Sequence, residues 1–84
     1  MAYEIYEGRQ IQVISFDDVK ADEYVIEFVD PAVSVNDSLV AVFSVDADWS
    51  SARVSINPDV DAVSAEFLVW ALKIARGMMN GNAA

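Results

Sequence analysis

Apolar and polar positions alternate along the first part of the chain, which is typical of β-strands. A strand beginning at Tyr3 is interrupted at Glu7-Gly8-Arg9, and a second one runs from Gln10 to Phe16, so a hairpin is predicted. Residues 17–23 are polar and acidic and predict a connection. A third strand follows from Tyr24 to Val29, with Tyr24, Ile26 and Phe28 on one face.

The middle of the chain predicts a second hairpin. Leu39 to Val45 is an apolar run with one serine, which is typical of a strand in the middle of a sheet that is covered on both faces. Residues 46–51 supply a turn, and Ala52 to Asn57 alternates again, with Val54 and Ile56 inward and Arg53 and Ser55 outward. Residues 32–38, which precede this hairpin, have the composition of a loop.

A C-terminal helix is predicted over residues 62–79. Pro58 ends the preceding strand, and Asp59 or Asp61 supplies an N-cap oxygen. Apolar residues then recur at helical spacing, while a narrow polar stripe completes the helix surface. The apolar positions are Val63, Phe67, Trp70, Ala71, Ile74 and Met78, and the polar ones are Glu66, Lys73, Arg76 and Asn80. Gly77 or Gly81 can end the helix.

The apolar arc of this helix is wider than one sheet face requires, because Leu68, Val69, Leu72 and Met79 extend it. A curved sheet, the 32–38 segment or a second copy of the chain can cover the surplus, and in the last case these four residues form the self-association surface of a homodimer. The predicted fold is α+β: a two-layer sandwich with a four- to five-stranded, mainly antiparallel sheet and one helix on one face, forming a single domain over residues 1–84.

Composition adds limits to this fold. The chain is 84 residues long and 55% hydrophobic, so it can build one core and no deep enclosed site. It has no cysteine, which favours the cytoplasm over a secreted, disulfide-bonded scaffold. Glu4 and Glu7 stand where a secretory signal would be basic, and Glu66, Lys73 and Arg76 interrupt the most apolar stretch. We therefore expect neither a signal peptide nor a membrane span.

Charge narrows the choice of partner. Fourteen Asp and Glu against five Lys and Arg give a net charge of −9, which repels nucleic-acid backbones and anionic membranes. The same field attracts basic protein surfaces, including those that hold nucleic acid. The alternative is that the charge only keeps a small apolar protein in solution.

Catalytic motifs are absent from the sequence. With no His and no Cys, neither nucleophile–histidine arrangements nor the common zinc sites can be built. Gly8, Gly77 and Gly81 are too scattered to form a phosphate-binding loop, and no cofactor is expected. The sequence therefore predicts a binding protein and not an enzyme.

Paired carboxylates are the remaining candidates for chemistry. The pairs Asp17/Asp18, Asp46/Asp48 and Asp59/Asp61 fall in predicted loops, where solvation keeps carboxylates ionised and unsuited to acid catalysis. Asp46, Asp48 and Ser50 match the start of a calcium loop, but Ser51 replaces its glycine and Asn57 its bidentate glutamate. We expect Asp46 and Asp48 to form a hairpin turn without metal.

Acidic loops and one aromatic residue make up the predicted partner-binding surface. If the strand ends that carry the loops lie together, their carboxylates can stand in for phosphates on a basic groove; the alternative is a solvated surface. Trp49, between Asp48 and Ser50, either anchors an interface or folds back over the sheet edge, whereas Trp70 is expected in the core. The predicted surface comprises Asp17, Asp18, Asp22, Glu23, Asp46, Asp48, Trp49, Asp59 and Asp61.

In its short length, acidity, lack of cysteine and strand-rich organisation with one helix, the chain resembles small phage-encoded inhibitors of host defence, among them anti-CRISPR proteins. The resemblance lies in overall character and transfers no site residue. It implies an inhibitor that blocks a basic, nucleic-acid-handling protein. Two alternatives are a small structural or assembly component that associates through the helix, and an immunity or antitoxin protein that neutralises a basic toxin.

Overall fold

A computed structural model describes residues 2–33, 37–60 and 62–79. Five strands form one antiparallel sheet in the order β1-β2-β3-β4-β5, and a single α-helix follows them in the chain. The elements are β1 (Ala2–Tyr6), β2 (Arg9–Asp18), β3 (Glu23–Val29), β4 (Val40–Ser44), β5 (Arg53–Ile56) and α1 (Ala65–Met78). The predicted α+β two-layer fold is confirmed, with the larger of the two expected strand numbers.

The first three strands form a continuous meander. Glu7 and Gly8 make the β1–β2 turn, and both have positive φ (49° and 78°), as a two-residue type I′ hairpin turn requires. Strand β2 is longer than predicted, because Asp17 pairs with Tyr24 and Asp18 with Glu23. The acidic connection is therefore reduced to residues 19–22. The carboxylate of Asp18, the last residue of β2, accepts hydrogen bonds from the backbone N–H groups of residues 20 and 21.

Strands β4 and β5 form the predicted hairpin, with Val42 opposite Val54. One detail of the prediction is wrong. The middle strand of the sheet is β3, and β4 lies one position from the edge. Val54 and Ile56 lie on the same face as the core residues Val42 and Val40, as the alternation predicts, but they are exposed, because β5 is an edge strand beyond the main contact with the helix.

Helix α1 begins three residues later than predicted. Its N-cap is Ser64, whose hydroxyl oxygen accepts a hydrogen bond from the Phe67 N–H at 3.0 Å. Asp59 does not cap the helix, because its N–H donates to the Asn57 side-chain oxygen within the turn that follows β5. Among the described residues, no helix has the length and apolarity needed to span a membrane.

The helix covers one face of the sheet. Phe67, Ala71 and Ala75 form its buried stripe, and the small alanines allow close approach to the strands. The core on the sheet side consists of Ile11, Val13, Ile26, Phe28, Val40 and Val42. Trp70 packs beside this core among the rings of Tyr6, Phe28 and Phe67, with centroid distances of 5.1, 6.1 and 5.5 Å, as its predicted core position requires.

No described element lies over the opposite face of the sheet. Residues paired directly across antiparallel strands share a face, so the register assigns Tyr3, Ile14, Phe16, Glu27 and Phe43 to the face away from the helix. We call this surface the open face.

Candidate functional site

Most of the predicted acidic surface gathers at one end of the sheet. There, the end of β2, the start of β3 and the segment after β4 line an open concavity with a volume of about 410 Å³. Its carboxylates are Asp17, Asp18, Asp22, Glu23 and Asp46, and we call this group the acidic end; Val19, Tyr24 and Ala47 complete the lining. No Lys or Arg lines this surface in the described part of the chain.

The five carboxylates differ in whether they already form hydrogen bonds or ion pairs within the chain. Asp18 accepts the two backbone N–H groups of the β2–β3 connection, and Glu23 lies 3.4 Å from the exposed Arg53 guanidinium. The side chains of Asp17 and Asp22 make no hydrogen bond or ion pair with any described residue. These two side chains are therefore the most available to an external cation.

Backbone strain is concentrated around the same surface. Asp22, Asp46 and Ala47 all have positive φ, at 57°, 58° and 54°. A left-handed conformation costs a non-glycine residue roughly 1–2 kcal/mol, with aspartate among the better tolerated residues. These backbone conformations are typical of tight turns, and they define the course of the chain on both sides of the acidic end.

One buried hydroxyl holds the segment after β4. Ser44 is the serine of the apolar run, and it is buried at the end of β4. Its hydroxyl lies 2.9 Å from the Ser51 hydroxyl and donates to the backbone carbonyl of Asp48. This link ties the loop that carries Asp46 to the core, and it explains why a polar residue lies inside the strand.

Asp48 and Trp49 do not join the acidic end. The Asp48 carboxylate accepts from the backbone N–H of Ser50 at 3.1 Å and from its hydroxyl at 2.9 Å, as expected for a turn-forming aspartate. Trp49 is half-buried and packs against the core, and the Arg76 guanidinium lies 6.0 Å from its ring centroid. The tryptophan thus folds back onto the molecule, which is the second of the two arrangements considered.

The last acidic loop lies elsewhere. Asp59 follows β5, whose end is paired with the start of β4, so it lies at the opposite end of the sheet from Asp17 and Asp46. Asp61 lies outside the described residues. The structure therefore brings together two of the three acidic segments.

The apolar surplus predicted for the helix is largely covered within the chain. Met79 is buried, and Leu68 and Leu72 are half-buried against the core. Met79 is therefore wrongly placed on a self-association surface, because it follows the last residue of α1 and packs in the core with Phe67 and Ala75. Of the four predicted residues, Val69 alone is mainly exposed, beside Glu66 and Lys73.

Sequence reasoning missed two carboxylates. Asp30 is 1% exposed and pairs with Arg9 at 2.8 Å, joining the end of β3 to the start of β2. Glu27 lies at the centre of the open face, between Ile14 and Ala41 on the neighbouring strands. The alternating pattern of β3 could have placed Glu27 on the open face, because Ile26 and Phe28 point inward and residue 27 must then point to the other face.

The acidic residues of the described ranges form a charged surface. No group of three or more acidic side chains in the described ranges is arranged to hold a metal ion. The acidic end is an open concavity at the end of the sheet, suited to contact with a surface and not to enclosing a small molecule. No protein-family model matches this sequence, and comparison with curated proteins and with solved structures gave no significant match.

Proposed function

We propose that this chain is a non-catalytic binding protein of the cytoplasm whose acidic end receives a basic surface of another protein. The observation that carries the proposal is the convergence of Asp17, Asp18, Asp22, Glu23 and Asp46 on one concave surface without a lining Lys or Arg. Carboxylates held side by side form a local negative potential that the net charge of −9 reinforces. A cationic surface gains most from contact with such a potential.

The partner class follows from the same chemistry. Protein surfaces that hold nucleic acid are rich in Lys and Arg, because they must neutralise a row of phosphates. A rigid row of carboxylates presents those side chains with an alternative anion. The chain then acts as an inhibitor, in the manner of the phage-encoded and DNA-mimicking inhibitors that it resembles, by occupying the groove that the nucleic acid would enter.

The first test compares capture of a partner by three forms of the chain. The double variant Asp17→Asn and Asp22→Asn removes two charges from the acidic end, and Glu7→Gln with Asp59→Asn removes two from the opposite end. Asparagine also tolerates the positive φ of residue 22, so the fold is retained. Each form is immobilised and exposed to bacterial lysate in NaCl from about 50 mM to about 500 mM, which shortens the Debye length severalfold.

We expect the native chain and the Glu7/Asp59 variant to retain the same partner at low salt, and the Asp17/Asp22 variant to retain about tenfold less. Rising salt should release the partner, and the purified partner should lose binding to nucleic acid when the native chain is added. Capture that is insensitive to salt, or that is equally strong with the Asp17/Asp22 variant, would contradict an electrostatic acidic end.

A further inference from the structure

The open face of the sheet carries several exposed apolar side chains, with Gln10 and Gln12 of β2 between those of β1 and those of β3. Tyr3, Ile5 and Phe16 are 54%, 61% and 41% exposed. Across the strands, Phe16, Val25 and Phe43 form one apolar row, because each is paired directly with the next. Contiguous exposed apolar surface of this kind marks an interaction site more often than scattered single residues do.

Glu27 lies in the middle of this apolar surface. Its direct cross-strand neighbours are Ile14 and Ala41, and its same-face neighbours along β3 are Val25 and Val29. The side chain is half-buried, and it makes no hydrogen bond or ion pair with any described residue. A carboxylate surrounded by apolar side chains loses much of its hydration without gaining a partner, which is unfavourable in the free chain.

A cation supplied from outside would remove this unfavourable state. An Arg or Lys that enters an apolar contact area forms a charge-assisted hydrogen bond with the carboxylate in a place sheltered from water. Central, desolvated contacts of this type account for a large part of the binding energy in protein interfaces. The apolar rows around Glu27 would exclude water from the contact.

The charges of the open face indicate which kind of molecule can bind there. Besides Glu27, it carries Asp18 and Glu23, and its sole cation among the described residues is Arg53, which already pairs with Glu23. A second copy stacked on this face would bring its carboxylates close to those of the first copy. The two chains, each with a net charge of −9, would also repel each other as a whole. Phosphates of nucleic acids and of anionic lipids are repelled for the same reason.

We propose that the open face is a docking surface for an amphipathic helix of a partner protein, and that this helix places an Arg or Lys against Glu27. Helix α1 packs on the other face of the same sheet, so the dimensions of the sheet suit a helix on this side as well. The proposal can be tested separately from the acidic end, because Glu27 lies on the central strand, whereas Asp17 and Asp22, which the capture experiment varies, lie at one end of the sheet.

The test uses designed peptides as probes. Each is a helical peptide with a leucine stripe and an otherwise neutral polar face, and the centre of the stripe carries Arg, Gln or Glu. The low net charge of the Arg peptide keeps attraction to the rest of the acidic protein small. Titrations followed by amide NMR signals of the native chain locate the contact and give each dissociation constant.

We expect the Arg peptide to shift the amide signals of residues on the open face, those of Ile14, Val25 and Ala41 first. It should bind about tenfold more tightly than the Gln peptide, and the Glu peptide should bind more weakly still. The variant Glu27→Gln should abolish the preference for Arg while it retains the leucine contact. Its matched control, Asp59→Asn, removes one charge at a distant exposed site and should leave the preference unchanged.

Several results would overturn the proposal. These are signals that shift only at the acidic end, equal affinity for the Arg and Gln peptides, and no binding of any peptide to the open face. Dimerisation of the native chain through this face, measured by sedimentation at tens of micromolar, would assign the face to a second copy. Binding to vesicles of anionic lipid through this face would assign it to a membrane. The Asp17/Asp22 variant should bind the Arg peptide normally, so this test and the partner capture can fail separately.

Discussion

At the scale of single residues, two ion pairs in the described part of the chain, Arg9–Asp30 and Arg53–Glu23, differ in what they contribute to stability. The Asp30 carboxylate is buried and accepts hydrogen bonds from Arg9 at 2.8 Å and from the backbone N–H of Ala32 at 2.9 Å. Glu23 and Arg53 meet at 3.4 Å, and the Arg53 side chain is 72% exposed. A buried carboxylate depends on its partner, whereas an exposed pair adds little to stability.

This difference predicts unequal effects of removing each arginine. Arg9→Ala leaves the buried Asp30 carboxylate with the Ala32 N–H as its remaining hydrogen-bond donor among the described residues, and we expect the free energy of unfolding to fall by about 1–3 kcal/mol. Arg53→Ala, the matched control, should lower it by about 0.5 kcal/mol or less. Urea unfolding followed by tryptophan fluorescence measures both. Equal losses would show that Asp30 does not depend on Arg9.

Residue-scale prediction from the sequence succeeded where the cue was local and failed where it was not. Trp70 lies at helical spacing with other apolar residues, and this pattern was enough to place it near the core. Asp30 precedes Pro31, a sequence that is typical of a turn, but its partner Arg9 lies 21 positions earlier in the chain. Only the pairing of β2 with β3 brings the two together.

At the scale of elements, the end of the helix offers a clear test of backbone effects. Gly77 lies in the last turn of α1, and a methyl group added there meets no atom within 4 Å. We expect Gly77→Ala to raise the free energy of unfolding by about 0.5–1 kcal/mol, because alanine loses less conformational entropy in a helix. The measurement is the same urea titration.

Gly8→Ala is the matched control for this substitution. An added methyl group at residue 8 also meets no atom within 4 Å, but its φ is +78°. Alanine is disfavoured in that conformation, so stability should fall by about 1 kcal/mol. If both substitutions changed stability in the same direction, backbone conformation would not be the cause.

Element boundaries show where local signals compete. Asp59, Asp61 and Ser64 all have cap-forming side chains, and the sequence alone favoured the first two. In the structure, the Asn57 amide donates to the carbonyl of Ser38, and its side-chain oxygen accepts the Asp59 N–H. This long-range anchor makes a turn of the residues after β5, and the helix begins only after Ser64.

At the scale of the whole molecule, the alternating pattern and the hairpin turns were sufficient to predict the two-layer α+β fold, whereas strand order depended on pairing. In an antiparallel meander, the connections after β2 and β4 lie at one end of the sheet, and those after β1, β3 and β5 lie at the other. This parity brings Asp17 and Asp22 close to Asp46 and separates Asp59 from them. The sequence predicts four or five strands, and without the exact number the end of the sheet at which each loop lies cannot be predicted.

The charge of the whole molecule leads to the last prediction. Like charges repel within a folded chain of net charge −9, and they repel most where Asp17, Asp22 and Asp46 share one surface. We expect the melting temperature to rise by several degrees between about 10 mM and about 300 mM NaCl, because salt screens this repulsion. Thermal unfolding followed by circular dichroism gives the values.

The Asp17→Asn and Asp22→Asn double variant separates local crowding from net charge. It should melt higher than the native chain at low salt and respond less to added salt, whereas Glu7→Gln with Asp59→Asn changes net charge equally and should gain less. If both variants gain equally, crowding at the acidic end has no special cost. A larger gain at the acidic end means that these carboxylates destabilise the free chain, so that binding a basic partner, and not folding, accounts for their position.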